Sequence, residues 1–421
     1  MKLKRELNLF STTLYGTGVI IGAGIYALLG TGAGLAGNVL WLAFLISAII
    51  AAFTGLSYAE LSGRFPKAAA EYTYTKKAFS RETFSFVIGW ILSVGALISA
   101  STVALGFGGY FSDLFGVSSQ LAAAGLIVLM SAINYFGIKE SARFNNIAAL
   151  IEIGGLLLVV IVVLFFSQGN VEIDYFELPS TGFGGVITAV SVIFFAYIGF
   201  ENVANIAEEV KNSKKIVPKA LVLALVISTA FYMLISIIAI SEVGWKALSE
   251  SNAPLTLVVS KVLGPYASIL SAIALIATAN TVLICLIASS RIFYGMAASG
   301  SIPKKFATVG KTGTPEFSVL TVGVFSAVIA YLFDIKTVAQ LSDLSIFIAY
   351  VSVNASLIVL ANRKKSGNTF TSPRIFGIPI FAWLGAITSF FMLAAFQAEL
   401  WIMEIVIILC GMLLYWYTKK Q

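Results

Sequence analysis

The sequence predicts an all-α polytopic membrane protein, on three observations. Hydrophobic residues make up 59% of the 421 and charged residues only 11%, with a mean hydropathy of +0.95. A soluble domain carries about 25% charged residues, so there is too little charge here to coat a water-facing surface. The apolar residues also run in continuous blocks of about 20, the length of a helix crossing a hydrocarbon core, without the alternation of a membrane β-barrel. Finally, lysine and arginine partition to one side of the resulting spans.

Twelve spans follow in order. The first covers 9–33, after the basic start Met1-Lys-Leu-Lys-Arg5, and the second 38–60. The basic segment 64–81 separates these from spans at 83–111 and 119–137; a second basic segment, 139–143, precedes the span at 144–167. The acidic loop 168–181, with Glu172, Asp174 and Glu177 and no base, leads into 182–207. Spans at 218–241, 262–290, 316–333, 338–361, 375–397 and 399–417 complete the set. With the N-terminus inside, 24 of the 27 basic residues lie on the inner side and only Lys246, Lys261 and Lys336 on the outer. That asymmetry follows the positive-inside rule and places both termini in the cytoplasm of a cell-membrane protein. It also accounts for the net charge of +7 without a nucleic-acid partner. The apolar run after the basic start is too long for a secretory signal, so it is expected to stay as the first helix.

Cys285 and Cys410 both lie inside apolar runs and are expected as packed thiols, not a disulfide. Histidine is absent, so any proton coupling falls to carboxylates, lysine or tyrosine.

Two spans carry signs of interruption. Gly16-Thr-Gly-Val-Ile-Ile-Gly-Ala-Gly-Ile-Tyr26 sets four glycines within nine residues of span one. Each costs a helix interior about 0.5–1 kcal/mol relative to alanine, so an unwound stretch is easy there; close helix packing through the Gly18/Gly22 pair is the other reading. In span six, Phe194-Phe-Ala-Tyr-Ile-Gly-Phe-Glu201 places a carboxylate mid-helix beside Gly199. An intramembrane acid is functional by default, though a glutamate holding the backbone freed by a helix break is a second reading compatible with the first. The interruptions lie five spans apart, so a second copy of the first five spans starting at span six would be inverted. Paired interruptions in inverted halves point to a transporter site, where half-helix N-termini attract an anion and freed carbonyls a cation. An α-amino acid, with both charges on one carbon, suits such a site.

These motifs, with Tyr58-Ala-Glu-Leu61, Pro66, Glu71-Tyr-Thr-Tyr74, Ala207-Glu-Glu-Val-Lys-Asn212, Pro218-Lys-Ala220, Ser290-Arg-Ile-Phe-Tyr-Gly-Met-Ala297, Ile302-Pro303 and Thr314-Pro315, make the chain resemble the amino acid–polyamine–organocation permeases over nearly its whole length. It departs from the family at Lys67-Ala-Ala-Ala70, where many members have paired glycines. The resemblance implies the LeuT-type fold, a single transporter domain of two inverted five-helix repeats (9–167 and 182–361) followed by two extra helices (375–417). It implies a substrate site on the span-one segment Ile20, Ile21, Gly22, Ala23 and Gly24 and the span-six residues Phe195, Ile198, Gly199 and Glu201. The substrate carboxylate would meet backbone N–H groups around Ala23 and Gly24, the amino group the carbonyls of Ile20 and Ile198, and Phe195 would gate the site.

Glu152 in span five is eight residues past Phe144, about 12 Å along a helix. Several proton-coupled relatives look to have a lysine there, standing in for a sodium ion beside the broken first helix. An acid at this depth suits reversible protonation; a static hydrogen-bonded pair is the other reading. Glu152 and Glu201 are therefore the proton-coupling candidates. Thr278, Asn280, Thr281, Ser289 and Ser290 in span eight are read as helix-packing residues in preference to a sodium site, and Ser93 and Ser99 as candidate pocket lining. Asn134 and Asp343 near span ends are expected as caps, Glu404 as interfacial, and Trp41, Trp90, Trp383, Trp401 and Trp416 as interfacial aromatics.

With no histidine, metal cluster or nucleophile–base pair, an enzyme is not expected, and no metal or other cofactor is called for beyond the coupling proton. The lack of a phosphate-binding Gly-Lys loop argues against direct ATP drive. The sequence thus predicts proton-coupled amino acid symport. Exchange of amino acids or amines, cationic ones included, is the alternative, and a transporter-like nutrient sensor the reading from another class.

Overall fold

The computed structural model describes residues 7–65, 70–136, 141–167, 173–205, 210–310, 313–362 and 370–420. Outside these lie Pro66, Lys67–Ala69, Ala207–Glu209, Arg363–Lys365, Glu172 and the basic start.

Helices α1 (Leu9–Ala36) and α2 (Leu40–Arg64) open the chain. Asn8 caps α1: its side chain accepts from the Ser11 N–H at 2.9 Å, and Ser11 Oγ returns the bond to the Asn8 N–H, a reciprocal pair that satisfies two orphan donors. Next come a short helix α3 (Ala70–Phe79), then α4 (Glu82–Phe115), α5 (Ser119–Phe136) and α6 (Ser141–Phe166). Helix α7 (Phe183–Ile193) runs into a 3₁₀ turn at Phe194–Tyr197 and resumes as α8 (Asn202–Asn205). The remainder is α9 (Ser213–Glu250), α10 (Pro254–Leu263), α11 (Ser268–Ala298), α12 (Glu316–Leu332), α13 (Ile335–Leu360), a two-stranded hairpin of β1 (Arg374–Ile375) and β2 (Ile378–Pro379), α14 (Ile380–Leu393) and α15 (Ala398–Lys419). Among the described residues, seven helical stretches are long and apolar enough to cross a membrane, and four shorter apolar helices accompany them. This is a multi-pass membrane protein.

Several boundaries depart from the sequence expectation. The span expected from 262 begins at Ser268, because Gly264 (φ 56°) and Pro265 end α10 first. The span expected from 375 begins at Ile380. Phe376 (φ 50°) and Gly377 (φ 81°) both take positive φ, the requirement of a tight two-residue hairpin turn, and pair Ile375 with Ile378. Helix α3 falls in a stretch expected only as a basic loop.

Helix α1 packs along α9 and α7, and α4 against α11 and α13. The core between them holds seven wholly buried tyrosines: Tyr26, Tyr58, Tyr74, Tyr110, Tyr197, Tyr232 and Tyr350. A buried tyrosine hydroxyl seeks a partner, and several here find main-chain carbonyls, as Tyr197 does at Phe44 O (3.0 Å). Outward faces are apolar: Leu150, Leu164, Phe165, Val226, Phe390 and Leu413 are exposed, as lipid-facing residues are.

Trp90, expected at an interface, instead joins two helices. Its indole N–H donates to Ile407 O at 2.8 Å, and its ring lies against Gly411, where a side chain would clash. Cys410, expected packed, is exposed, whereas Cys285 is half-buried; neither forms a disulfide.

At the C-terminal end of α2 the wholly buried Glu60 carboxylate binds Arg64, Arg374 (2.9 Å), the Ser372 N–H (2.9 Å) and Ser372 Oγ (2.6 Å). It ties α2 to the segment before α14. Breaking a buried ion pair typically costs about 3–5 kcal/mol, because the partner charges are left uncompensated. Glu60→Ala is therefore expected to lower the unfolding temperature of the detergent-purified protein by several degrees; an unchanged melting curve would remove this clasp from the account.

Candidate functional site

The two interruptions expected from sequence meet in space. In α1 the break is confined to Gly22, whose backbone leaves the helix (φ 6°, ψ −164°), while the flanking turns stay helical. It is thus a one-residue kink, not the longer unwound stretch that four glycines allowed. In the sixth span the break is wider. The 3₁₀ turn ends at Ile198 (φ −59°, ψ 134°), and Gly199 takes φ 119°, a conformation only glycine adopts without strain.

Gly24 lies directly on this second break. A Cβ at Gly24 would stand 2.6 Å from Ala196 Cα, and one at Gly199 would stand 2.7 Å from the Val19 side chain and 3.2 Å from Val19 O. Two glycines, one on each helix, therefore let the backbones touch. Tyr232 of α9 spans the joint: its hydroxyl lies 2.5 Å from Ile20 O and 2.8 Å from Ala196 O. Both carbonyls are freed by the breaks. Its ring is held by Phe44 and Tyr197, at centroid distances of 5.3 and 5.2 Å. Of the expected site residues, Ile20, Ile21, Gly22, Ala23, Gly24 and Phe195 are buried, and Ile198 is half-buried.

Glu201 turns back onto its own break. Its Oε1 and Oε2 accept the Gly199 N–H at 3.1 and 3.0 Å, and Oε2 also accepts Tyr350 Oη at 3.1 Å. The carboxyl group thereby occupies the backbone donor freed by Gly199, the arrangement the second sequence reading of this residue anticipates. Beyond Tyr350, Tyr58 packs edge-on at 6.0 Å and donates to Glu71 Oε1 at 3.0 Å. Glu71 lies on α3 outside the spans, and burial pushes its carboxyl group above the usual carboxylate range.

Glu152 of α6 is 2% exposed, and its Oε1 has no hydrogen-bond partner. Its main-chain carbonyl accepts Tyr26 Oη at 2.9 Å. Tyr26 lies four residues past the Gly22 kink, so Glu152 is moored beside the first break. Tyr232 also lies within its electrostatic reach.

Most of the small polar residues singled out in the sequence serve packing. Thr278 Oγ1 donates to Ala274 O (2.6 Å), Ser289 Oγ to Ser93 O (2.9 Å) and Ser290 Oγ to Ile287 O (2.9 Å). Thr281 is nearest the site, its Oγ1 3.7 Å from where a Cβ on Gly22 would lie. Asn134 is buried and its amide reaches Ser290 Oγ at 3.4 Å.

Two acids differ from their expected places. Glu404 is wholly buried, not interfacial, and accepts Ser345 Oγ at 2.9 Å. Asp343 caps nothing: it lies in the body of α13, wholly buried, with the Phe195 backbone toward it. Asp334 is the cap of that helix, accepting the Thr337 N–H at 3.1 Å. Tyr232 was not singled out by sequence either, since one tyrosine in an apolar helix carries no pattern.

A family model described as amino acid permease matches residues 7–417. The chain is 32% identical over 446 residues to the branched-chain amino acid permease BcaP of Bacillus subtilis, covering 100% of this chain and 94% of that protein. It is 31% identical over 445 residues to the methylthioribose transporter of Bacillus subtilis, with the same coverage. To cationic amino acid transporter 4 of Homo sapiens it is 30% identical over 395 residues, covering 88% of this chain and 62% of that one. The match extends through both breaks and the helices that hold them, and so this multi-pass protein belongs to the amino acid permease family of the amino acid–polyamine–organocation superfamily, a family of transporters and not of enzymes.

Proposed function

We propose that the chain is a secondary active transporter of amino acids that works by alternating access, with proton symport as its coupling. The observation that carries this reading is the contact of the two helix breaks at Gly24 and Ala196. A carboxylate is recognised there by N–H groups around Ala23 and Gly24, an ammonium by the carbonyls of Ile20 and Ile198, and Phe195 closes over the substrate. Helices α1 and α7–α8 belong to the moving part, in two inverted repeats (9–167 and 182–361) followed by 375–417. The protein sits in the cell membrane with both termini cytoplasmic, as the basic residues argue.

Coupling is assigned to Glu152, buried beside the first break with a free carboxyl oxygen and no base in an ion pair with it among the described residues. Glu201 holds the second break in shape through Gly199 and Tyr350. Proteoliposomes offered a panel of labelled amino acids from outside, with and without an inward proton gradient, test the reading. Uptake into empty vesicles that grows with the gradient is the expected result. Glu152→Gln is expected to abolish that gradient and pH dependence, and unchanged dependence in the variant would end its coupling role.

Exchange is the second reading, favoured by the likeness to cationic amino acid transporters and by the interior acids that would suit a cationic side chain. It predicts uptake only into preloaded vesicles. The methylthioribose relative makes that sugar a necessary member of the substrate panel.

A further inference from the structure

Asp343 is the buried acid that the reading above leaves without a role. It is 0% exposed, and neither side-chain oxygen completes a hydrogen bond, although the Phe195 backbone lies toward them. It has no ion-pair partner among the described residues. Eight residues past the start of α13, it stands about 12 Å into that helix, level with the 3₁₀ turn at Phe194–Tyr197. An ionised carboxyl group at membrane depth is costly, and among the described residues only the Phe195 backbone, short of a completed hydrogen bond, is turned toward this one to offset it. Its two neighbouring serines are committed elsewhere: Ser342 Oγ to Ser99 Oγ of α4 at 2.7 Å, and Ser345 Oγ to Glu404 of α15 at 2.9 Å.

The groups that face this acid are acids and phenols. Tyr350, two turns along the same helix, lies within electrostatic reach and donates to Glu201. Beyond it lie Glu71 of α3 and Tyr58 of α2, and α15 contributes Glu404. Helix α4 presents Ser99, and α7 and α14 contain no ionisable side chain. A metal ion would need several ligands, and among the described residues no group of three or more acids or thiols comes together here. The chemistry left for such a group is to take and release a proton.

We propose that Asp343 is a proton-carrying carboxyl of the transport cycle, placed at the second helix break as Glu152 is placed at the first. The assignment rests on the proton-coupled reading above. It pairs the two acids by position: each lies on the last helix of its proposed repeat, each is buried, and each has an oxygen without a partner beside a broken helix. Deprotonation leaves a carboxylate that the Phe195 backbone draws onto the break. Protonation weakens that hold and lets the break move. In this way a proton is linked to movement of the helix that closes the substrate site.

The test uses the full-length protein in proteoliposomes. Wild-type uptake is measured with and without an inward proton gradient, beside Asp343→Asn, Asp343→Glu and Glu152→Gln. The expected result is that Asp343→Asn loses the gradient response while Asp343→Glu regains it. A full gradient response in Asp343→Asn, with the response lost in Glu152→Gln, overturns the assignment and leaves proton symport intact. A wild type indifferent to the gradient overturns symport and this assignment together. A measurement on unmutated protein covers the case in which Asp343→Asn does not fold. The chain has four aspartates, and Asp113, Asp174 and Asp334 lie at helix ends or in loops. Infrared spectra with isotope-labelled aspartate therefore isolate Asp343 as the membrane-interior member. A protonated-carboxyl band that carries the isotope shift and disappears in alkaline solution supports the proposal. No such band at any pH, or one that never titrates, overturns it.

Discussion

Gly24→Phe is expected to lower amino acid uptake by about 10- to 100-fold. Even a Cβ at this position would stand 2.6 Å from Ala196 Cα and 3.0 Å from Ala196 Cβ. The obstacle is backbone and cannot swing aside. A residue forced into a filled space costs about 1–3 kcal/mol, and each 1.4 kcal/mol is tenfold in an equilibrium. That cost falls on the conformation in which the two breaks meet and vanishes when they part, so the variant is biased against closure. Gly125 of α5, where a Cβ would meet nothing within 4 Å, supplies the control: Gly125→Ala should transport as wild type does. Uptake in vesicles together with a melting curve separates a closure defect from misfolding. Wild-type uptake by Gly24→Phe would sink the idea that substrate binding needs these backbones in contact.

How far the site was legible follows from what each residue needed as a signal. The breaks were readable because they use residues costly in a lipid-spanning helix: four glycines in one turn-rich segment and a carboxylate beside Gly199. The length of the first break was not readable, since glycine permits unwinding without requiring it, and only Gly22 leaves the helix. Glu152 was readable as an acid at depth. Asp343 escaped because its placement near an expected helix end gave it the ordinary reading of a cap, while Asp334, a few residues earlier, is the residue that caps. Trp90 and Glu404 were misplaced for a related reason. Nearness to a span end does not record how helices pack: α15 meets α4 at Trp90, which is half-buried, and α13 at Glu404, which is wholly buried. The hairpin before α14 depends on two successive positive-φ residues, one of them phenylalanine, and phenylalanine is not a turn signal. Tyr232 escaped altogether: its partners lie 36 and 212 residues away in sequence, and no local pattern records contacts of that range.

Tyr232→Phe is expected to cut transport by about fivefold to tenfold, although it removes a single heavy atom from the core. The phenyl ring keeps its packing against Phe44 and Tyr197, so the variant isolates the hydroxyl. That hydroxyl reaches Ile20 O and Ala196 O together, and without it two buried carbonyls beside the breaks lose a partner. A buried polar group left unsatisfied costs about 1–3 kcal/mol, and a hydroxyl has one proton to share between two acceptors, which sets the expectation near the lower end. The loss should appear in transport more than in stability, because the bridge exists only while α1 and the sixth-span break are together. Tyr197→Phe is the matched comparison, since its hydroxyl donates to Phe44 O at 3.0 Å, away from both freed carbonyls. It should melt at a similarly reduced temperature yet keep most of its uptake. Equal losses of uptake in the two variants would mean that Tyr232 serves general packing, and the joint between the broken helices would then rest on the glycine contacts alone.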